Sequence, residues 1–324
     1  MADAVKWGIL STADINRKLI PGAHASPKVD LLAIASRDKA RAESYAQEWG
    51  IARAYGSYEE LLADPDVEAV YIPLPNTLHS ERTIRAVDAG KHVLCEKPFS
   101  RHTAEVDAAF DAAERNDRLL TEAFMYRHNP QTKRLTELVD EGAIGELRLV
   151  RAAFSYSLYD EANIRLRTDV EGGALMDVGC YCVSGCRLLA GEPEHVYGDA
   201  WYGPSGTDWV FAGTMRFPGN VIATFDCGTA LPERDELEAI GSEGSLFLDD
   251  PWHCNVPVLE LRRVDGVERI EVPHEDSYRL ELENLSDAIR GEGDLLLGRE
   301  DAVGQARALE TLHESAKTGV PVSL

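Results

Sequence analysis

The sequence contains no long hydrophobic run. No stretch approaches the roughly 18 consecutive apolar residues that a membrane-spanning helix requires. The first residues also lack the basic region and apolar run of a signal peptide, so we expect a cytoplasmic protein. Positive charge is scarce, with 33 Lys and Arg residues against 56 Asp and Glu residues and a net charge of −23. This charge argues against nucleic acids and anionic membranes as partners.

Cysteine pairs with metal-binding or disulfide-framework spacing are missing as well. The six cysteines form no CxxC pair, although Cys180, Cys182 and Cys186 fall on one predicted helix. Neither Cys182 nor Cys186 has a histidine or a second cysteine pair at the spacing of zinc ligands. We therefore predict small buried thiols and no metal site.

The first part of the chain has the pattern of an α/β domain. A length of 324 residues is enough for two domains, and 44% apolar with 27% charged residues is ordinary for a globular enzyme. Short apolar runs alternate with helical patterns up to about residue 124, which predicts a doubly wound parallel sheet, a Rossmann domain covering residues 1–124. The predicted strands are Val5–Leu10, Val29–Ser36, Val67–Ile72, Lys91–Cys95 and Leu119–Ala123.

The rhythm changes after residue 125. Longer segments with alternating polarity predict a large, open, mostly antiparallel sheet with one side that is solvated or faces a dimer partner. Helices are predicted at residues 173–190, 278–290 and 300–318. We assign residues 125–324 to a second α/β domain.

A strict GxGxxG fingerprint is absent from the turn after the first strand. Ser11, Ala13 and Asn16 occupy the three positions where the fingerprint has glycine. Serine and alanine are small enough to let backbone N–H groups approach a pyrophosphate at a helix N-terminus. An ordinary strand-to-helix turn is the alternative interpretation.

The end of the second strand predicts which dinucleotide binds. An NAD enzyme usually has Asp or Glu there to hold the ribose 2′-hydroxyl, whereas this chain has Ser36 and Arg37, followed by Lys39 and Arg41. A hydroxyl and a guanidinium suit a 2′-phosphate, so we predict NADP, with NAD as the alternative. A solvated helix start would equally explain Lys39 and Arg41.

A stiff turn follows the next strand, at Pro73-Leu74-Pro75-Asn76, where ligands bind in open α/β sheets. Asn76 is expected to cap a helix and to contact the cofactor, and these roles are compatible. The predicted cofactor-binding residues are Ser11, Thr12, Ala13, Asp14, Ile15, Ser36, Arg37, Arg41, Leu74, Asn76, His79, Glu96 and Lys97.

Two motifs carry the residues expected to do the chemistry. Glu96-Lys97-Pro98 places a lysine at a strand end, and the segment 172–181 places Asp177 and Tyr181 four residues apart, on one face of a helix. Lysine, aspartate and tyrosine are suited to moving a hydroxyl proton while a nicotinamide takes a hydride. The alternatives are a solvated strand end for Lys97, a surface acid for Asp177 and a packed aromatic for Tyr181.

These segments together resemble the glucose–fructose oxidoreductase/inositol dehydrogenase family, Gfo/Idh/MocA, over essentially the whole chain. The resemblance rests on the segments 8–16, 73–79, 96–98, 122–127 and 172–181. It implies an N-terminal Rossmann domain and a C-terminal α/β domain, residues 125–324, that binds the substrate and forms the dimer, since the open sheet of this domain often makes the dimer interface. A homodimer or a dimer of dimers is therefore expected.

Tyr181 indicates which branch of the family the chain resembles, because the inositol dehydrogenase branch has histidine at this position. Tyrosine resembles the branch of glucose–fructose oxidoreductase, dimeric dihydrodiol dehydrogenase and NADP-dependent D-xylose 1-dehydrogenase. That branch implies that Lys97 and Tyr181 flank the substrate carbinol, with Asp177 close by. Further candidates for the sugar pocket are Tyr126, Arg127, Asn163 and Arg165, for which structural pairing is the alternative.

The substrate expected from this resemblance is a small neutral sugar or polyol. The best match is an NADP-dependent aldose 1-dehydrogenase that acts on a sugar like D-xylose. A trans-dihydrodiol dehydrogenase and a reductase of dicarbonyls or keto-sugars are the enzymatic alternatives. A regulator that senses a dinucleotide without turnover is the alternative from another class.

Overall fold

The computed structural model describes residues 3–324, which form two compact units. The first unit contains the residues up to 128 together with residues 276–303, and the second contains residues 129–275 and 304–324. The sequence-based division had placed every residue after 124 in the second domain. Residues 276–303 depart from it because their helix buries Leu282 and Leu285 in the core of the first unit.

The first unit is built on the predicted parallel sheet. Its six strands lie in the order β3-β2-β1-β4-β5-β6, so the direction of strand order reverses between β1 and β4. In open α/β sheets, ligands bind at the carboxyl ends of the strands beside such a reversal. The strands are β1 Val5–Leu10, β2 Val29–Ala35, β3 Arg53–Tyr55, β4 Ala69–Ile72, β5 His92–Glu96 and β6 Leu120–Ala123.

Helices connect these strands, and their first turns are fixed by short polar side chains. Asp38 caps the second helix by accepting from the Arg41 amide, and Ser57 caps the third by accepting from the Glu60 amide. The helices are α1 Asn16–Ala25, α2 Lys39–Trp49, α3 Tyr58–Leu62, α4 His79–Asp88 and α5 Thr103–Arg115.

The second unit contains a nine-stranded sheet in the order β14-β13-β12-β11-β7-β10-β9-β8-β15. Only β7 and β10 pair in parallel, which confirms the predicted mostly antiparallel sheet. The sequence did not predict the last two strands. The strands are β7 Leu147–Ser157, β8 His195–Tyr202, β9 Asp208–Arg216, β10 Ile222–Gly228, β11 Ala230–Gly241, β12 Ser245–Asp249, β13 Val258–Arg263, β14 Gly266–Glu271 and β15 Val322–Ser323.

The remaining helices are α6 Pro130–Asp140, α7 Cys180–Ala190, α8 Ser277–Arg290 and α9 Arg299–Thr318. The predicted helix at 173–190 is not uniform. It opens with a π-helical turn, Leu175–Gly179, which runs directly into α7. Single π-turns within helices occur frequently at functional sites, and this one contains Asp177.

None of the helices within residues 3–324 is both long and apolar enough to cross a membrane. All six cysteines are buried, as the sequence predicts, and none of them forms a disulfide. Burial raises the pKa of the Cys95, Cys182 and Cys227 thiols well above the usual value. These thiols are therefore protonated packing groups at neutral pH rather than reactive ones.

Candidate functional site

The turn between β1 and α1 has the form of a phosphate-binding turn without its glycines. Ser11 has a φ of 145°, a region that favours glycine. Two hydrogen bonds hold it there: the Ser11 hydroxyl donates to the Pro73 carbonyl at 3.0 Å, and Asn16 Nδ2 donates to the Ser11 carbonyl at 2.8 Å. The first turn of α1 contains no acidic residue, so its amides are suited to an anion.

The end of β2 carries the groups that distinguish the two dinucleotides. Ser36 is buried, and Arg37 is exposed and has no carboxylate partner within residues 3–324. The nearest acid, Asp38, uses its carboxylate to accept from the Arg41 amide at 3.2 Å, so it is occupied as the cap of α2. Arg41 in turn donates to the Thr12 carbonyl at 3.3 Å, which links this end of the sheet to the phosphate-binding turn.

The chemistry of this donor set fits a phosphorylated dinucleotide. The α1 amides, a hydroxyl and an unpaired guanidinium can neutralise a pyrophosphate and a further phosphate. Of the other predicted residues in this turn, Ala13 and Ile15 are half-buried and Asp14 is exposed. The missing acid at the end of β2 is the feature that favours a 2′-phosphate over a 2′-hydroxyl.

His79 was predicted to bind the cofactor, and the structure encloses it completely. Its Nδ1 lies 2.9 Å from the Pro98 carbonyl and its Nε2 lies 2.7 Å from the Leu74 carbonyl. The imidazole therefore ties the turn after β4 to the turn after β5. Burial lowers its pKa. Cofactor contact by His79 stays a prediction. Asn76 and Leu74 are half-buried on the turn itself.

Lys97 lies at the carboxyl end of β5, where it is half-buried. The preceding Glu96 is fixed on both oxygens, because the Tyr71 hydroxyl donates to Oε1 and the Lys97 amide donates to Oε2 at 3.2 Å. The next peptide bond, Lys97–Pro98, is cis. The two hydrogen bonds to Glu96 fix the strand end on which Lys97 lies half-buried.

A second acid lies near Glu96 in the core of the first unit. Glu281 on α8 is 1% exposed, and neither of its carboxyl oxygens has a hydrogen-bond partner within residues 3–324. Burial raises its pKa well above the usual value, and the nearby charges of Glu96 and Asp276 add to the effect. Sequence reasoning missed Glu281 because its helix is far from the Glu-Lys-Pro motif along the chain.

We expect Glu281→Gln to remove a pH dependence of stability. The unfolded state loses this proton near pH 4, while the folded state keeps it to a higher pH. Between the two pKa values the folded state binds more protons, so the wild-type protein loses about 1.4 kcal/mol of unfolding free energy per pH unit as the pH rises. The variant lacks this loss. Urea unfolding at about pH 5 and about pH 7 measures it.

The control for this prediction is Glu43→Gln, which changes an exposed glutamate on α2. It should leave the pH dependence of the wild type unchanged. Parallel pH profiles for the wild type and Glu281→Gln would mean that Glu281 is ionised like a surface acid.

In the second unit, Gly173 and the buried Asp208 hold the start of the helix that contains Asp177 and Tyr181. Gly173 has a φ of 129°, and a Cβ there would overlap Asp208 Oδ1. Asp208 is 3% exposed and accepts from the Leu175 amide at 2.7 Å through Oδ2. This carboxylate compensates the exposed amides of the helix start, so Asp208 fixes the π-turn from 33 residues away in the chain.

Asp177 is held by a phenol and a guanidinium. The Tyr156 hydroxyl donates to Oδ2 at 2.5 Å, and Arg165 Nε donates to Oδ1 at 3.2 Å. The Asp177 side chain is 14% exposed and that of Arg165 is 45% exposed. Burial, together with the Asp177 charge, raises the pKa of Tyr156. The Asp177 carboxylate therefore holds the half-exposed Arg165.

Tyr181 lies on the same face of the sheet as Asp177. Its ring packs edge-on against Phe154 at 5.4 Å and lies 6.1 Å from the Trp252 ring. Phe154 and Tyr156 are two residues apart on β7, so their side chains share a face. Phe154 contacts Tyr181 and Tyr156 contacts Asp177, so this face gathers both predicted catalytic residues of the second unit.

The other predicted sugar-pocket residues have structural partners. Tyr126 is fully buried with its ring 6.2 Å from Phe124, and Arg127 pairs with Asp301 at 3.3 Å. The Asn163 side chain accepts from the Arg165 amide at 3.1 Å and so shapes the segment that carries Arg165. For Tyr126, Arg127 and Asn163, substrate contact stays a prediction; only Arg165 presents an exposed charged group beside Asp177.

Comparison with known proteins matches both units to one family. Residues 5–124 match the model of the GFO_IDH_MocA oxidoreductase family with an NAD-binding Rossmann fold. Residues 132–247 match the GFO/IDH/MocA C-terminal domain.

Individual relatives cover nearly the whole chain. A D-xylose 1-dehydrogenase (NADP(+)) of Haloferax volcanii is 40% identical over 98% of this chain and 99% of its own length. A trans-1,2-dihydrobenzene-1,2-diol dehydrogenase of Danio rerio is 32% identical over 82% of this chain and 79% of its own. The crystal structure of a 3-ketoreductase from Actinomadura kijaniata with NADP and TDP-benzene is 30% identical, with a TM-score of 0.91 over 96% of this chain and 98% of its own. The chain therefore belongs to the GFO/IDH/MocA oxidoreductase family.

Proposed function

We propose that this protein is an NADP-dependent oxidoreductase that oxidises a neutral aldose, with D-xylose as the first candidate, at the anomeric carbon. The end of β2 is the observation that supports NADP as the cofactor. There Asp38 caps α2, and Ser36 and Arg37 are available to bind the 2′-phosphate. The Haloferax relative, a D-xylose 1-dehydrogenase (NADP(+)), supports both parts of the proposal.

The cofactor-binding residues of the first unit follow from this proposal. The α1 amides and the turn at Ser11 would hold the pyrophosphate, while Ser36 and Arg37 would hold the 2′-phosphate, with Arg41 beside them. When bound, the nicotinamide supplies the acceptor for the hydride. The strand end at Lys97 and the turn at Leu74 and Asn76 belong to the same carboxyl edge of the sheet.

The proton is handled by the side chains of the two motifs. Tyr181 accepts the proton of the substrate hydroxyl, and Lys97 acts as its electrostatic partner and relay. Asp177 orients Arg165, whose half-exposed guanidinium donates to substrate oxygens. Tyr156 and Asp208 hold Asp177 and its turn in place.

Two related substrate classes are the alternatives. The Actinomadura ketoreductase favours reduction of a keto-sugar, and the Danio relative favours oxidation of a dihydrodiol. The same proton and hydride transfer serves all three classes, so the choice depends on the groups that bind the rest of the substrate.

Steady-state kinetics with NADP⁺ tests the proposal. The substrates are D-xylose, D-glucose, L-arabinose, myo-inositol and a trans-dihydrodiol, and reduced nicotinamide is followed. We expect kcat/KM to be highest for an aldose. An advantage of about tenfold or more for the inositol or the dihydrodiol would reject the aldose. Reduction of a keto-sugar with NADPH, without oxidation of any aldose, would favour the reductase.

We expect Arg37→Ala to raise the KM for NADP at least about tenfold and to leave the KM for NAD within about twofold. Arg37 has no carboxylate partner within residues 3–324, so its guanidinium can donate to a 2′-phosphate. NADP has this phosphate and NAD lacks it, so only NADP loses these hydrogen bonds in the variant. Initial rates with both cofactors at saturating substrate measure the two constants.

Arg115→Ala is the matched control, because Arg115 is an exposed arginine on α5 of the same unit. It should change neither constant. If Arg37→Ala raises both constants equally, the residue supports the fold of the turn and does not read the phosphate.

We also infer that the protein assembles as a homodimer or a dimer of dimers through the open face of its nine-stranded sheet. A shallow depression on this sheet is lined by outward-facing polar residues such as Arg151, Thr224 and Glu238. Sedimentation velocity gives the mass directly, and a monomer at micromolar concentration would contradict this inference.

A further inference from the structure

The turn between β12 and β13 contains two ring side chains that pack on the same sheet face as Phe154 and Tyr181. Trp252 is buried there, and the next residue, His253, is partly exposed. Trp252 is fully buried, its indole N–H donates to the Ala153 carbonyl at 3.0 Å, and its ring stacks on Phe154. The His253 side chain is 46% exposed, and its ring stands edge-on to Phe154 at 5.4 Å. His253 therefore packs on the same phenylalanine that packs on Tyr181.

Two carboxylates fix the orientation of this imidazole. His253 Nδ1 lies 2.6 Å from Asp235 Oδ2 and 3.2 Å from Asp250 Oδ1. Asp235 is on β11, directly opposite Phe154 of β7 in the strand register, so the two side chains share a face. The second oxygen of each carboxylate is also held, by the Trp252 amide at 3.3 Å and by the Asn255 amide at 2.8 Å.

All contacts of the ring nitrogens go to Nδ1. Within residues 3–324, Nε2 of His253 has no hydrogen-bond partner. A carboxylate on one ring nitrogen fixes the tautomer and leaves the other nitrogen to interact with a ligand. Here the other nitrogen is on an exposed ring beside the wall formed by Phe154, Trp252 and Tyr181.

The charged groups that face the ring are Asp235 from β11 and Asp250 from the turn after β12, and β7 contributes the uncharged Phe154. The hydrogen bonds to the two aspartates raise the pKa of His253 to about 9. Burial raises the pKa of Asp235 to about 6. At neutral pH the ring is therefore an imidazolium whose Nε2–H is a donor.

We propose that His253 determines substrate specificity by donating a hydrogen bond from Nε2–H to a substrate hydroxyl other than the one that reacts at Tyr181. This inference rests on the proposed sugar oxidation. The imidazolium carries one positive charge beside two carboxylates, so the cluster is net negative and disfavours a phosphate or carboxylate on the substrate. It selects a neutral polyhydroxylated molecule.

The test compares His253→Leu, which removes the donor, with His253→Gln, whose side-chain amide restores one. The substrates are D-xylose and its analogues that each lack one hydroxyl, with NADP⁺ saturating. We expect His253→Leu to raise the KM for D-xylose at least about tenfold with kcat within about threefold, and to abolish the preference of the wild type for D-xylose over one of the analogues. His253→Gln should recover part of that preference.

The pH profile adds a readout that a purely structural role would not move. The wild-type KM should rise as the pH passes about 9, because the imidazolium then loses its proton, while the KM of His253→Leu should not show this rise. His274→Leu, which changes an exposed histidine elsewhere in the second unit, is the control and should behave as the wild type.

Three results would overturn the inference. If the wild type oxidises D-xylose and His253→Leu leaves its KM and its analogue preference unchanged, His253 does not bind the substrate, while the proposed function stands. If the wild type oxidises no neutral sugar, the proposed function fails and this inference fails with it. The purified wild type could also hold one equivalent of a divalent metal that His253→Leu lacks. In that case a metal site is formed by Asp235, Asp250 and His253, whose ligand atoms lie within 4.8 Å of one another.

Discussion

Lys97→Ala and Tyr181→Phe are each expected to lower kcat by at least about a hundredfold, with the dissociation constant of NADP nearly unchanged. Lys97 follows Glu96 at the end of β5, and both carboxylate oxygens of Glu96 are hydrogen-bonded. The Tyr181 ring packs against Phe154 and Trp252. In the proposed mechanism both side chains serve one proton transfer, so the double variant should lose far less than the product of the two single losses. Pre-steady-state rates and cofactor titration separate chemistry from binding.

The controls are an exposed lysine and an exposed tyrosine, changed in the same way. Lys133→Ala and Tyr197→Phe should retain wild-type kcat, since both side chains are on the surface of the second unit. Two losses of less than about threefold that multiply in the double variant would assign Lys97 and Tyr181 to packing.

Gly173→Ala is expected to destabilise the second unit by about 3 kcal/mol and to lower kcat/KM at least about tenfold. The added Cβ would overlap the buried Asp208 carboxylate, and the φ of 129° is unfavourable for alanine. Displacement of Asp208 would release the Leu175 amide and shift the π-turn that carries Asp177. Urea unfolding and steady-state kinetics measure the two effects.

Two other glycines separate the causes of this effect. Gly219 has a φ of 72° with no atom near its missing Cβ, so Gly219→Ala should cost only the backbone strain, about 1 kcal/mol. Gly298 has open space and no left-handed φ, so Gly298→Ala should be nearly neutral. If Gly173→Ala behaves like Gly219→Ala, Asp208 yields to the methyl group and does not fix the turn.

The sequence predicts the parts of the fold that depend on local pattern. The five apolar strands of the first unit are buried on both faces, which gives continuous apolar runs with helices between them. Helix α2 begins after Asp38, whose side chain caps it by accepting from the Arg41 amide. The antiparallel sheet follows in the same way from alternation along β9 and β10.

The local sequence pattern does not predict features that depend on contacts between residues far apart in the chain. The start of the π-turn is held by the hydrogen bond from the Leu175 amide to Asp208, which lies 33 residues away in the chain, so the segment 172–181 alone does not indicate it. Helix α8 has an apolar side that fits either unit, so the sequence did not predict that residues 276–303 join the first. His253 and Asp235 are 18 residues apart, and only the strand register brings them to Phe154.

The central claim is hydride transfer between the nicotinamide of NADP and a neutral sugar. Its most direct test is a reaction with D-xylose that carries deuterium on its anomeric carbon, in the presence of NADP⁺, with the reduced cofactor recovered and analysed by NMR. The account predicts that the deuterium appears on the nicotinamide ring, in one stereochemical position, with a lactone as the other product. Unlabelled reduced cofactor, or no reduced cofactor with any aldose of the panel, would contradict it.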